Sequence, residues 1–256
     1  MFAHNIEVFL TASNIADDDV RGRTVVAMDV LRASTTIIHA LAAGAREVIP
    51  VPDMGEAGRI AAALDPASYV LGGEKDGKPI EGYGLGNSPL DYSGDAVSGK
   101  TVILSTTNGT PAILAAAEAD DVLVGGFVNI NAVADAVRAL QAPLTIVCAG
   151  WKNRVALEDT MCAGMLIDLL LEGHSPANLA DTAYMALWQY RHDQDAIDVP
   201  IGRCNHARRL EQLGHGADVA ESIRIDAVPV VPHLSERRLV PWSAADPTLS
   251  SGESSP

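Results

Sequence analysis

Aromatic side chains make up only 4% of this chain, and cysteine occurs three times. Most of the 48% apolar content comes from Ala, Val, Ile and Leu. A core of small aliphatic side chains favours helices packed closely on a sheet over an aromatic-rich β-sandwich. The cysteines, Cys148, Cys162 and Cys204, show neither a CxxC pair nor metal-ligand spacing, which argues against a disulfide framework and for a reducing, cytoplasmic setting. Basic residues are also scarce: 18 Lys and Arg face 33 Asp and Glu, for a net charge of −15. That balance argues against a nucleic-acid surface, because phosphate neutralisation needs clustered cations. No run approaches the roughly 20 apolar residues of a membrane span. The N-terminal MFAHNIEVFL lacks a basic region and is interrupted by Asn5 and Glu7, so it does not read as a signal peptide. No two histidines share helical ligand spacing. His4, His39, His174, His192, His206, His215 and His233 therefore read as structural or surface residues, and zinc is disfavoured.

What the chain does have is a pair of similar segments, TVVAMDVLRASTTIIHAL from Thr24 to Leu41 and TVILSTTNGTPAIL from Thr101 to Leu114. Each is a β-branched apolar run, a loop crowded with small polar residues, then a helix-like stretch. Such junctions bind anions, since helix starts offer unpaired N–H groups and the positive end of the dipole. Strands are expected at about 6–10, 24–29, 46–51, 68–71, 101–105, 121–126, 143–149 and 227–231, with helical patterns between most of them. The alternation predicts an α/β fold, a layered αβα architecture with a mostly parallel sheet. Val20-Arg21-Gly22-Arg23-Thr24-Val25 matches Val97-Ser98-Gly99-Lys100-Thr101-Val102, and Ala45 to Ile49 loosely matches Ala119 to Leu123. A βαβα unit is thus a candidate for internal duplication. The glycine-rich stretch from Gly72 to Tyr92 reads as a long loop of the kind that is often functional. RCNHARRLEQLG reads as a helix stopped at Gly214. One domain over 1–240 is expected, with a disordered tail over 241–256.

Gly94 to Thr101, GDAVSGKT, matches the P-loop expression, but it opens an apolar strand where a P-loop would open a helix. It reads as a turn. The better candidates are carboxylates, because magnesium takes oxygen ligands, commonly one or two carboxylates plus a substrate phosphate. Asp29 at a strand end, Glu74 after a Gly-Gly pair, and Glu158 and Asp159 after another strand could converge on one rim and hold Mg²⁺. Glu158 and Asp159 equally suit the first turn of a helix without any metal. For an anion, Arg32 with Ser34 and Thr35 in the first loop, and Thr106, Thr107, Asn108 and Gly109 in the second, supply donors and close backbone approach. Thr110 before Pro111 fits a helix cap. Lys75 and Arg154 lie in loops that could reach a remote acidic group, and Asn87 and Ser88 lie on the glycine-rich loop expected to wall the site. A small phosphorylated or similarly anionic molecule is the expected partner, and the composition allows a homodimer.

DVLRASTT at Asp29 to Thr36, GGEKDG at Gly72, GNSPLDY at Gly86, STTNGT at Ser105, CAG at Cys148 and LEDTMCAG at Leu157 together resemble the 2-phosphosulfolactate phosphatase (ComB-like) family. The resemblance runs in order over roughly residues 5–233, with RRLEQLG and DAVPVVP similar to weaker closing motifs. It implies a magnesium-dependent phosphatase that converts 2-phospho-3-sulfolactate to sulfolactate, a step in coenzyme M biosynthesis. One departure is Ala156, where the resemblance leads us to expect a capping Ser or Thr before LED. Under the metal-assisted reading, Asp29, Arg32 and Asp159 are the catalytic candidates. Two alternatives stay open. A haloacid-dehalogenase-like phosphatase would use Asp29 as nucleophile, although Leu31 stands where a second Asp is expected. A non-catalytic anion-binding or sensor protein would need the loops but not the acids.

Overall fold

The computed structural model describes residues 4–13, 15–173 and 179–244. The described residues form ten strands: β1 Ile6–Phe9, β2 Thr24–Met28, β3 Glu47–Val51, β4 Tyr69–Lys75, β5 Lys78–Pro79, β6 Thr101–Ser105, β7 Asp121–Gly125, β8 Leu144–Cys148, β9 Pro232–Ser235 and β10 Arg238–Pro241. They make one sheet in the order β1-β8-β2-β7-β9-β10-β3-β6-β4-β5. Ten helices accompany them: α1 Ala33–Ala42, α2 Met54–Ala61, α3 Gly94–Val97, α4 Gly109–Ala115, α5 Ile130–Leu140, α6 Leu157–Leu171, α7 Asp181–Asp193, α8 Asp198–Arg203, α9 Asn205–Gln212 and α10 Gly216–Ser222. None is long and apolar enough to cross a membrane.

The architecture is α/β, as the alternation predicts. β1, β8, β2 and β7 are mutually parallel, as are β3, β6 and β4. The central strands read as unbroken apolar runs because both faces are covered. Along β2, Val26 and Met28 join a core with Ile146, Leu166 and Phe127, while Val25 and Ala27 join a second core with Ile37, Ile113 and Val147. The antiparallel β9-β10 hairpin joins the two parallel blocks. Here the structure departs from expectation: residues 227–231 are not a strand, and the closing hairpin begins at Pro232. The Val-Pro-Val-Val-Pro run mimics a strand, but Pro229 within it lacks the N–H a ladder requires, while Pro232 stands at the first position of β9, where a proline is tolerated.

The matched segments pair in matched register. Thr24 opposes Asp121 and Val25 opposes Val122, while the equivalent Thr101 opposes Glu47 and Val102 opposes Val48. The hairpin clasps both acids of that pattern, through His233 to Asp121 at 3.1 Å and Arg238 to Glu47 at 3.0 Å. The P-loop look-alike is the short α3 and the turn into β6, where the Lys100 ammonium donates to the Ala96 carbonyl at 3.0 Å.

The stretch from Gly72 to Tyr92 is loop over most of its length, with strand only to Lys75 and over Lys78–Pro79. Gly72 and Gly73 continue β4, because each sits where a side chain would collide: a Cβ on Gly73 would lie 1.9 Å from the Ser105 carbonyl oxygen, and one on Gly72 would lie 2.1 Å from the Tyr92 hydroxyl. Gly214, with φ +87°, does end α9 as expected. After β10 the backbone N–H of Trp242 donates to the Val231 carbonyl at 2.7 Å. Residues 245–256, most of the expected tail, lie outside the described residues, as does His174.

Helix packing is tightest where α6 meets α7. A Cβ on Gly164 would lie 2.1 Å from the Ala186 carbonyl oxygen, whereas one on Gly58, on the open face of α2, meets nothing within 4 Å. Gly164→Ala is therefore expected to destabilise the fold by about 1–3 kcal/mol through overpacking. Gly58→Ala is expected to stabilise it by about 0.5–1 kcal/mol. Chemical denaturation of the two variants checks both signs, and equal effects would contradict the packing assignment.

Candidate active site

The chain leaves β2 at Met28 and reaches α1 through Asp29 to Arg32, a turn fastened by the hydroxyls that follow it. The Asp29 N–H donates to Ser34 Oγ at 2.8 Å, Thr35 Oγ1 donates to the Val30 carbonyl at 3.0 Å, and Thr36 Oγ1 donates to the Asn87 carbonyl at 3.1 Å. Ser34 and Thr35, expected as ligand donors, are buried and spent on shaping this loop. The second loop divides the same way. Thr106 and Thr110 exchange backbone-to-hydroxyl bonds of 2.9 and 3.1 Å and are buried, while Thr107 and Asn108 face a cavity. Gly109 lets the two loops meet: a Cβ there would stand 2.6 Å from Asp29 Oδ2.

That cavity, of about 180 Å³, has Asp29, Arg32, Glu74 and Asn87 among its lining residues. Glu74 accepts from the Thr107 N–H at 2.7 Å and the Gly77 N–H at 2.6 Å, binding the β4-β5 turn to the second loop. Asp159 accepts from the Val30 N–H at 2.9 Å and the Gly150 N–H at 3.1 Å, so it ties α6 to the ends of β2 and β8. Glu158, one residue earlier, is buried, with Oε1 2.9 Å from His206 Nδ1 and Oε2 without a hydrogen-bond partner. Ala156 occupies the cap position of α6 with no side-chain cap.

The acids are close enough to oppose one another's ionisation. Burial pushes the Asp29 carboxyl up to about 7. His206 works against that rise, while Glu74 and Glu158 add to it. Asp159 is likewise pushed well up, by burial first and then by Glu158 and Asp29. Concentrated buried negative charge of this kind is relieved by a proton or a cation. Among the described residues no three His, Cys, Asp or Glu side chains form a ready-made metal cluster. The expected set of Asp29, Glu74, Glu158 and Asp159 therefore does not stand as four converged ligands. Glu74 and Asp159 are engaged by backbone N–H groups, and Asp29 with the free Glu158 Oε2 is the pair left to offer oxygen. One or two carboxylates suffice for Mg²⁺, which keeps waters and shares a substrate phosphate.

Arg32 is buried, and its Nη1 meets Asp218 Oδ2 at 2.5 Å, while the guanidinium also lines the cavity. Asp218 in α10 accepts from Ser88 Oγ at 2.7 Å and lies 3.3 Å from His215 Nδ1. Ser88, expected to face ligand, instead completes this anchor. Asn87 does line the cavity, and its buried Oδ1 has no hydrogen-bond partner. Lys75 and Arg154 are not among the lining residues: Lys75 borders a separate cavity beside Pro52 and Arg154 an adjoining one of about 730 Å³.

Several lining residues escaped the sequence. His206 was read as structural, yet it stacks on Trp151 with centroids 5.2 Å apart and planes at 17°. Lys152 lies 4.5 Å over the same Trp151 ring. His206, Arg209, Leu210 and Leu213 share one face of the α9 region at helical spacing, the one signal that could have been read.

The family described as 2-phosphosulpholactate phosphatase matches residues 9–237. A relative from Clostridium novyi named "Probable 2-phosphosulfolactate phosphatase" is 36% identical over 229 residues, covering 90% of this chain and 96% of the relative. Relatives of the same name from Carboxydothermus hydrogenoformans and Caldanaerobacter subterraneus subsp. tengcongensis are 40% and 35% identical. Those alignments cover 85% and 90% of this chain and 90% and 95% of the relatives. With the acid-rich cavity built from the loops that match runs through, the chain belongs to the 2-phosphosulpholactate phosphatase family.

Proposed function

We propose that this chain is a Mg²⁺-dependent phosphatase that hydrolyses 2-phospho-3-sulfolactate, or a close phosphorylated hydroxy acid, to sulfolactate and phosphate. Its setting is the cytoplasm, in coenzyme M biosynthesis. The observation that carries the reading is an opposition at one small cavity: Asp29 and Arg32 line it together, Asp29 raised by burial and by neighbouring Glu74 and Glu158, and Arg32 a buried arginine bonded to Asp218 through one nitrogen. Asp29 and Glu158 would hold the ion, and their hard oxygens fit it. When bound, Mg²⁺ supplies charge neutralisation for the phosphoryl oxygens.

The protein's own groups do the rest. Arg32, fixed by Asp218, presents guanidinium N–H groups to the phosphoryl group without having to order a flexible side chain first. Its charge matters most as negative charge shifts among the oxygens in the transition state. Asp29 keeps an oxygen for the attacking water, orienting it and accepting its proton. Asn108 lies on the cavity as a donor, with Gly109 allowing its close approach, while Thr107 gives both its N–H and its hydroxyl to Glu74. Asp159 holds the Asp29 turn and the Gly150 turn at one separation, and so acts by positioning.

Asp29→Asn is expected to lower kcat by about 10²-fold or more while leaving the near-ultraviolet circular dichroism unchanged. Excess EDTA should abolish phosphate release by the wild type, with recovery on adding Mg²⁺. Undiminished turnover by Asp29→Asn, or full activity in EDTA, would overturn the mechanism.

The raised pKa of Asp29 gives a second expectation. A carboxyl that ionises near 7 when folded and near 4 when unfolded binds more protons in the native state between those values, so stability falls as pH rises through that window. Metal-free protein should melt several degrees lower at pH 7.5 than at pH 5. Mg²⁺ should narrow or reverse the difference, because it binds the ionised form. A flat or rising melting temperature in EDTA over this range, measured by calorimetry, would count against the buried acid cluster.

A further inference from the structure

Lys152 and Arg209 are the two cations of the reaction cavity that no acid of the protein holds. Both line it, and among the described residues neither side-chain charge has an ion-pair or hydrogen-bond partner, Lys152 meeting only the face of Trp151 at 4.5 Å. Arg32, by contrast, is committed to Asp218. In a chain with 33 acidic residues and a net charge of −15, two cavity cations whose N–H groups are taken up by no acid keep those donors for an anionic ligand.

Their placement is also built. Trp151 and Arg154 exchange backbone bonds of 2.9 and 3.1 Å, closing a turn whose two central residues, Lys152 and Asn153, have φ of +55° and +56°. Asn-Gly is the usual occupant of such a turn. A lysine at its first central position puts an ammonium at the tip, over Trp151. Arg209 reaches the same cavity from α9, one helical turn beyond His206, and His206 itself stacks on Trp151.

We propose that Lys152 and Arg209 form the subsite for the sulfonate, one of the substrate's two non-transferring acids beside its carboxylate. This assignment rests on the phosphatase reading and replaces Lys75 and Arg154 as the groups that recognise the remote end. A phosphoryl group on Arg32 and a strong acid on Lys152 and Arg209 would give the cavity two anion-gripping ends, so that selection depends on the ligand carrying both charges. The adjoining cavity supplies a control in Arg208, a neighbour of Arg209 that lines the other cavity and donates to Asn205 Oδ1 at 2.8 Å. It carries the same charge but lies outside the proposed subsite.

The test compares 2-phospho-3-sulfolactate with 2-phospholactate, which lacks only the sulfonate. The wild type should prefer the sulfonated ester in kcat/KM, and Lys152→Met and Arg209→Gln should each reduce that preference by about tenfold or more. Arg208→Gln should retain it. A preference unchanged in Lys152→Met and Arg209→Gln, or lost equally in Arg208→Gln, overturns the subsite. Calorimetric titration with sulfolactate against lactate separates this from the phosphatase reading. If no ester is hydrolysed yet sulfolactate binds more tightly than lactate, and the two variants erase the difference, the subsite stands and the reaction does not. If the wild type favours neither sulfonated compound, the subsite is wrong.

Discussion

The Asp159 carboxylate is the constraint on which the rest of the site depends. It reaches from the first turn of α6 to the Val30 and Gly150 N–H groups, joining a helix start to the ends of two neighbouring strands. Loops of this kind ordinarily satisfy their N–H groups with water or with a ligand. Here one side chain does it for two of them, so the Asp29 turn and the Trp151 turn cannot drift apart. The arrangement has an electrostatic cost, since burial and the neighbouring Glu158 and Asp29 oppose the charge that the N–H groups favour. That conflict is the condition under which a cation at the same place becomes favourable.

The paired units explain why the site has two unlike halves. The same position, eight residues past the strand start, is Arg32 after β2 and Gly109 after β6. The position five past it is Asp29 in one unit and Thr106 in the other. One copy of the turn thus carries an acid and a guanidinium, and the other is emptied of bulk so that its backbone fits against that acid. The two turns meet where Gly109 packs against Ala33 and Asp29, and the register of β2 on β7 matches that of β6 on β3. The framework is repeated while the chemistry is divided.

The sequence made the framework legible because its signals are local. Strand starts at Thr24, Thr101 and Leu144 follow from β-branched runs, and Gly214 follows from a helix stop, so those elements fall within a residue or two of expectation. The acids at Asp29, Glu74, Glu158 and Asp159 were equally visible. What each carboxylate does was not, because whether an oxygen is spent on a backbone N–H or left free depends on which strand ends adjoin. Ser34, Thr35, Thr106 and Ser88 show the same limit, since a hydroxyl that shapes a loop and one that binds a ligand look alike in sequence. Asp218 and His206 were missed because their partners are distant in the chain: Asp218 meets Arg32 across 186 positions and His206 meets Glu158 across 48. Lys152 and Arg209 were missed because only the fold brings their two segments to one cavity.

Charge is organised on two scales that point in opposite directions. Globally the molecule is acidic and repels an anionic substrate, an effect that salt screens over about 10 Å. Locally, Arg32, Lys152 and Arg209 surround a cavity of only about 180 Å³, where charges meet with less intervening water and act more strongly. The carboxylates beneath them would cancel that attraction if they stood alone. A divalent cation between acids and substrate would convert the same carboxylates from repulsion into the means of holding the ion. Under the proposed function the acid cluster and the cations would then not compete for the substrate, because the acids would act through the metal and the cations directly, each on a different part of one multiply charged molecule.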